Sequence, residues 1–458
     1  MSIDIDLLEW AVEEGLKLGA DEVELFASSV QHTSSEIMLA SFPKMSSIID
    51  LGIGIRVIKD KKIGFSFVTR IERDPILNSL KDAISSANAS KPIDDWKNLP
   101  EPSSYPTVKN TYDPRIEKLT SDSITDYLNR LLSKIVSIDK RINPVQVGAG
   151  YGVIEKVIVN SNGVKVSDKG TVIYAVAATI GMEGDKRTPY CFDYDVSRIL
   201  ELNPELVGER VAEITLTSLK TGRPETEKST VLFHPFALSS ILTFTLTVAL
   251  NGDSIKREIS PFVNKIGEKI GSEKLTLIDD GTVPGGIGTT ISDDEGVPTR
   301  RKILIENGIL RGFYFDNYTG KALGKESTGN GFRTRGTGGG TSISYASLPT
   351  PSPSNLSILP GDASLEEIIS EINRGYFVIG VQGAHSSNPE SGEFSVAGAP
   401  IWKIENGEIV GAVPGTMISG KLYDLLKHIR FISKETRIME NYILPYVAFE
   451  NVNVISKK

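Results

Sequence analysis

Leu7, Leu8, Ala11, Val12, Gly15 and Leu18 recur at three- and four-residue intervals, which predicts an opening helix ended by Gly19. Apolar positions then alternate with polar ones at Val23 and Leu25, over Gly54–Ile58 and over Ile63–Val68, the two-residue period of strands. The helical period returns at Ile76, Leu80, Ile84 and Ala87, with Asp74-Pro75 predicted as N-cap and first-turn proline. It returns again at Ile124, Leu128, Leu131, Leu132 and Ile135, beyond a proline-rich connection over residues 91–118. Val145–Gly150, Ile154–Val159 and Gly163–Val166 alternate around Asn160-Ser161-Asn162-Gly163, which predicts a hairpin, and Thr171–Ile180 predicts a long neighbouring strand. A helix over Pro204–Lys220 stops at Gly222, ahead of Pro224.

The polar stretch from Arg223 to Thr230 marks a boundary between a first domain, residues 1–222, and a second, residues 223–458. The second opens with a strand over Val231–Phe233 and a charge-free helix over Pro235–Leu250, then turns mostly to strands. Two of its hairpins share the tetrapeptide Ile-Glu-Asn-Gly, at Ile305–Gly308 and Ile404–Gly407, where Asn-Gly supplies the positive φ angles of a tight turn. Asp362–Asn373 and Leu422–Ile429 are the remaining helical segments. The pattern as a whole reads as α+β, a mixed α/β N-terminal domain followed by a strand-rich C-terminal one.

Composition narrows the function. The 458 residues are long enough for more than one core. A net charge of −8 gives the chain no overall attraction to nucleic acid or anionic lipid. Cys191 is the one cysteine, so no internal disulfide forms, and a reducing compartment is expected. The first ten residues carry acids where a signal peptide needs basic residues and an apolar run, so a cytoplasmic location is expected. Ser229–Gly252 lacks charge but holds too many hydroxyls and too short an apolar run to span a membrane. His32, His234, His385 and His428 are the only histidines, little material for a self-sufficient zinc enzyme.

Candidate chemistry falls in three places. Asp279, Asp280, Asp293, Asp294 and Glu295 offer oxygen ligands for a hard cation, but without the alternating spacing of a calcium loop they read instead as a solvated turn and a capped strand. Gly329–Gly340 is glycine-rich and basic; its backbone amides, Asn330, and Arg333 or Arg335 can hold an anion, a carboxylate or an extended peptide, with a surface loop as the equal alternative. His385 sits among hydroxyls and small residues, a poor basis for a nucleophile pair without an orienting third group and an oxyanion hole. His234 before Pro235 reads as a capping or packing residue at a helix start, and Cys191 between Tyr190 and Phe192 as a buried apolar side chain.

Longer stretches carry a family likeness. The run LNGDSIKREISPFVNKIGEKIGSEKLTLIDDGTVPGGIGTTISDDEGVPTRRKILIENGILRGFYFDNYTGKALG from Leu250, the STGNGFR stretch, and GEFSVAGAPIWKIENGEIVGAVPGTMISGKLYDLLKHI from Gly392 resemble the TldD/PmbA family, specifically its PmbA (TldE) branch. The segment GIGIRVIKDKKIGFSFVT from Gly52 is similar to the family's opening strands. The resemblance implies a metallopeptidase family whose TldD-type members carry HExxxH on a helix and a distal thiolate. Aligned on Asn251-Gly252-Asp253, the first His position falls on Thr243, the Glu on Phe244 and the second His on Val248, and the tail from Glu435 holds no Cys. The resemblance therefore implies a subunit without catalytic residues or metal of its own. It implies a heterodimer with a TldD-type subunit that carries zinc, acting on unfolded peptides. His385 joins Asn330, Arg333 and Arg335 as a candidate peptide or anion contact. The family label "modulator of DNA gyrase" implies no contact with DNA, and neither nucleic acid nor membrane is expected as a partner. Two alternatives stand beside this: a metallopeptidase in its own right, using His234, His385 and Cys191, and a stand-alone peptide-binding homodimer.

Overall fold

The computed structural model describes residues 3–39, 41–333 and 344–456. Its first half is built on a seven-stranded antiparallel sheet of unusually long strands. These are β1 (Glu22–Met38), β2 (Lys44–Lys59), β3 (Lys62–Val68), β4 (Ile142–Asn160), β5 (Lys165–Glu183), β6 (Lys186–Arg187) and β7 (Cys191–Ser197). They run in the order β3-β2-β1-β4-β5, with β6 and β7 both on β5. The two-residue alternation sends odd positions to one face. There Leu25, Ala27, Ile53, Ile55 and Val57 meet helices α1 (Ile5–Lys17) and α2 (Arg73–Ala89).

On the same face, beyond the four-residue α3 (Pro114–Glu117), helices α4 (Ser121–Ile138) and α5 (Pro204–Leu219) bury Leu128, Leu131, Val207 and Val211 against Ile173, Ala175 and Ala177. The even positions, among them Glu24, Phe26, Arg56, Lys156 and Ile158, face the other way and are buried against the second half of the chain. Gly64 shows how close the helical layer lies, since a Cβ there would stand 1.9 Å from the carbonyl oxygen of Ala83 in α2.

The second half folds around a 13-stranded mixed sheet. Strand β8 (Glu227–Phe233) lies near its middle, antiparallel to Tyr442–Ser456 and parallel to Arg374–Val378. Helix α6 (Pro235–Thr243) and the short α7 (Leu246–Ala249) follow and place Leu238, Ile241, Leu242, Leu246 and Ala249 in the largest core. Asn307 and Asn406 take φ of 48° and 52°, each followed by a positive-φ glycine, so both Asn-Gly hairpins form as the turn chemistry requires.

Three local expectations are corrected. The second helix begins at Arg73 with Glu72 in the cap position and no side-chain cap bond, so Asp74 lies inside the first turn. The predicted single helix over Pro235–Leu250 is two helices, broken at Phe244 and Thr245. Hydroxyls account for the break: Ser240, Thr243 and Thr245 donate to carbonyls four residues back, at 2.9, 2.8 and 2.6 Å, competing with the helical ladder. The acidic run Asp293–Glu295, expected at the surface, is fully buried. No helix among the described residues is long and apolar enough to cross a membrane.

Candidate functional site

Thr243 ends α6, Phe244 lies in the break after it, and Val248 lies on α7. Thr243, Phe244, Thr247 and Val248 are part-exposed, while Ile241, Leu242, Thr245, Leu246, Ala249 and Leu250 are buried. The result is one accessible flank on an otherwise sequestered segment. Thr243 Oγ1 donates to the Ser239 carbonyl at 2.8 Å and lies 2.8 Å from the hydroxyl of Tyr442, which also meets Thr247 Oγ1 at 3.0 Å. Burial raises the pKa of that tyrosine, so its hydroxyl remains a neutral bridge between the two threonines. Phe244 stands edge-on to His385, ring centroids 6.5 Å apart, with His385 exposed on the short turn Ala384–Ser386. The structure thus brings His385 beside the aligned positions, a proximity that sequence spacing does not reveal.

These side chains do not fit a zinc ion. The Thr243 hydroxyl is already engaged, Phe244 and Val248 have no lone pair, and His385 supplies a single imidazole where a catalytic zinc needs three protein ligands. Nor do His234 and Cys191 provide the rest. His234 caps α6, its Nδ1 accepting from Phe236 N at 3.1 Å, and its Nε2 faces the guanidinium of Arg437 at 3.5 Å. Burial, with Arg437 and Arg210 nearby, holds its pKa well below the ordinary value, and that cationic surrounding opposes a metal ion as it opposes a proton. Cys191 is buried with Ile214, Leu232 and Trp402, its thiol donating to the Pro189 carbonyl at 3.4 Å and its pKa raised by burial. The cap and the buried thiol are the roles their local sequence predicts.

A second cluster joins the two halves of the molecule on the even face of the first sheet. Arg56 Nη2 donates to Glu24 at 2.5 Å and to Glu295 at 2.9 Å. Arg333, with none of its surface exposed, bonds Glu24 with one nitrogen and the Ser347 carbonyl at 2.7 Å with another, and stacks over Phe26 at 4.9 Å. Lys156 reaches Asp294 at 2.9 Å and the Ser292 carbonyl at 2.8 Å. Asp293 accepts from the amides of Glu295, Val297 and Gly331, and Asp279 from Asn330 Nδ2 at 2.8 Å and from Ser354. Asn330 and Arg333, expected as ligand contacts, are therefore buried and bonded within the protein. Arg335 and residues 336–340 lie outside the described residues.

Glu295 is pushed up to about 7, by burial first, with Arg56 opposing. Because the folded-state value lies above the unfolded one, its contribution to stability is complete below the usual carboxylate range and is lost as pH rises through about 7. Asp293 and Asp316 are shifted the same way, again by burial first. Glu295→Gln is expected to flatten, without abolishing, the fall in urea-unfolding stability between about pH 5 and about pH 8. An unchanged slope would show that Glu295 stays ionised throughout.

Models of one family cover most of the chain. Residues 226–456 match the PmbA/TldA metallopeptidase C-terminal domain, residues 114–219 its central domain and residues 23–90 its domain 1. The chain belongs to the TldD/PmbA family. Its fold is similar to that of TldE from Thermococcus kodakarensis, with a TM-score of 0.91 and 33% identity, covering 98% of this chain and 100% of that one. In sequence it is 28% identical over 445 residues to the metalloprotease TldD homolog of Buchnera aphidicola subsp. Acyrthosiphon pisum, covering 94% and 89% of the two chains. It is 25% identical over 452 residues to the metalloprotease PmbA of Escherichia coli O157:H7, covering 95% and 93%. Proteins named TldD, TldE and PmbA thus all stand among its relatives.

Sequence reasoning missed the part played by Glu24, Arg56 and Lys156. Each sits in an ordinary alternating strand, and the partners that tie them to the second half, Arg333, Glu295 and Asp294, are more than 130 residues away along the chain. The one available signal was the charge of Glu24, Arg56 and Lys156 at even positions of β1, β2 and β4, a pattern that a sheet with one solvated face shows equally well.

Proposed function

We propose that this member of the TldD/PmbA metallopeptidase family is a non-catalytic, TldE/PmbA-type subunit, paired in the cytoplasm with a TldD-type chain that carries the zinc and cuts unfolded peptide. One observation carries the reading. At the aligned HExxxH positions stand Thr243, Phe244 and Val248, and Thr243 is engaged by the Ser239 carbonyl and the Tyr442 hydroxyl. A hydroxyl so engaged neither binds zinc nor takes a proton from water, and the phenyl ring beside it can do neither. The likeness to TldE supports the same branch.

In this account the flank formed by Thr243, Phe244, Thr247, Val248 and His385 is a wall of the peptide cleft. It offers apolar surface and the exposed imidazole of His385 to a chain that the partner hydrolyses.

The test uses the purified chain with unfolded casein and zinc. Alone, it is expected to give no turnover above buffer. Mixed with a TldD-type chain bearing HExxxH, it should support turnover that His385→Ala and Cys191→Ala change by no more than a few-fold. Loss of several orders of magnitude in either variant, with folding intact, would place catalysis on this chain and overturn the reading.

A further inference from the structure

The strands Ile429–Met439 and Tyr442–Ser456 form a hairpin in which Met439 pairs with Tyr442, so Glu440 and Asn441 make its turn. Glu440 takes φ of 54°, the left-handed region that glycine or asparagine fills more readily than glutamate. The turn lies beside the α6–α7 flank, because Tyr442 carries its hydroxyl to Thr243 and Thr247. From the first domain, Tyr194 of β7 lays its hydroxyl against the backbone of Glu440, with its ring edge-on to Phe236 at 5.1 Å. Burial raises the pKa of both tyrosines and the charge of Glu440 adds to it, which places the carboxylate within electrostatic reach of both hydroxyls.

No basic group answers that charge. Among the described residues Glu440 enters no ion pair, and burial raises its pKa with no cation opposing the shift. The residue is nonetheless exposed, the condition of a side chain on a concave wall, open to water on one side and packed on the other. Arg437, three residues back on the same strand, is committed to Asp193 at 2.8 Å and to the Tyr194 carbonyl at 2.9 Å. Glu24 and Asp294, elsewhere on the domain junction, each hold a cation of the protein's own. A strained backbone that holds an unanswered carboxylate at the edge of a cleft is what a ligand of opposite charge requires. We infer that Glu440 is a subsite for an organic ammonium group of the peptide, its carboxylate receiving the charge beside the part-exposed Tyr194. A free amino terminus and a lysine side chain present the same group. A metal ion fits less well, since a hard cation needs several ligands and no three acids, imidazoles or thiols converge among the described residues. The inference rests on the reading of the flank as a wall of the peptide cleft and adds selectivity to it.

The probes are three labelled unstructured peptides, identical except at the centre and the amino terminus. One has a central lysine and an acetylated terminus, one a central norleucine and a free terminus, and one norleucine with an acetylated terminus. With the two-chain enzyme, at least one ammonium-bearing peptide is expected to show a KM about 10- to 100-fold below that of the neutral one, the range for one charge-assisted hydrogen bond, at similar kcat. Glu440→Gln should erase that advantage by raising KM for the ammonium-bearing peptide alone. Glu440→Gly, which relieves the strained turn, should do the same in a chain at least as stable, so that loss of fold does not mimic the effect. The peptide that holds the advantage identifies amino terminus or lysine as the source. Fluorescence anisotropy on this chain alone reads the same preference without turnover. A mixture that shows the preference but no turnover would contradict the subunit reading and sustain the subsite. Equal KM values and equal affinities for all three peptides overturn the inference, as does an advantage that survives both substitutions. Zinc held by the wild-type chain and lost in Glu440→Gln overturns it in favour of a metal ion.

Discussion

Arg333→Ala is expected to cost about 3–5 kcal/mol of folding stability, the range for breaking a buried ion pair by removing one partner. The guanidinium is wholly buried, and burial lowers its pKa against the pull of Glu24. Its bonds reach Glu24 on β1 and the Ser347 carbonyl, while its own backbone amide donates to Asp294 at 2.8 Å. Truncation leaves Glu24 with Arg56 alone, strips Phe26 of its stacked cation, and opens a space that the surrounding strands cannot close. Methionine in place of alanine refills the volume, so Arg333→Met should lose less. Combining Arg333→Met with Glu24→Gln should recover a further part, since neither partner is then an uncompensated buried charge. Urea unfolding of the four proteins measures this directly. A loss below about 1 kcal/mol in Arg333→Ala would mean that water replaces the guanidinium and that the two halves are not held together at this point.

That cluster also shows where a sequence stops being informative. The α+β architecture is legible because its signals are local: alternation in Gly54–Ile58, a helical period through Leu128–Ile135, and Asn-Gly at two hairpin turns whose backbone demands it. The Ser-Asp-Asp-Glu-Gly run at 292–296 has the composition of a solvated turn, and what makes it a buried core element is Arg56 and Lys156 arriving from distant strands, with the backbone amide of Arg333 beside them. Alternation fixes which residues share a face, but not whether the second face meets water or another layer of protein.

The break after Thr243 was hidden for a related reason. Apolar spacing runs straight through Pro235–Leu250, and only the threonine and serine hydroxyls, which rebond to carbonyls one turn back, interrupt the helix. The three aligned positions were legible through resemblance alone. Their neighbour His385 was not, because 141 residues of sheet and connection separate it from Phe244.

The second large effect expected is an all-or-none one. A catalytic zinc site needs imidazole, thiolate or carboxylate groups that are free to bind and converge within about 2.0–2.3 Å of the metal. Thr243, Phe244 and Val248 offer no such group, and the Thr243 hydroxyl is held by Ser239 and Tyr442. His234 faces a guanidinium, and Cys191 is sealed in the core with a raised pKa. Restoring the register with Thr243→His, Phe244→Glu and Val248→His would first have to release Tyr442 from its two threonines and separate Phe244 from His385. The departure from the HExxxH pattern is therefore built into the packing around it as well as into the three side chains.

The decisive measurement is the zinc stoichiometry of the purified chain: dialysis against trace zinc, then elemental analysis against protein concentration. The expected value is near zero, unchanged in His385→Ala. A value near one zinc per chain that falls in His385→Ala, His234→Ala or Cys191→Ala would contradict it and place a metal centre on this subunit.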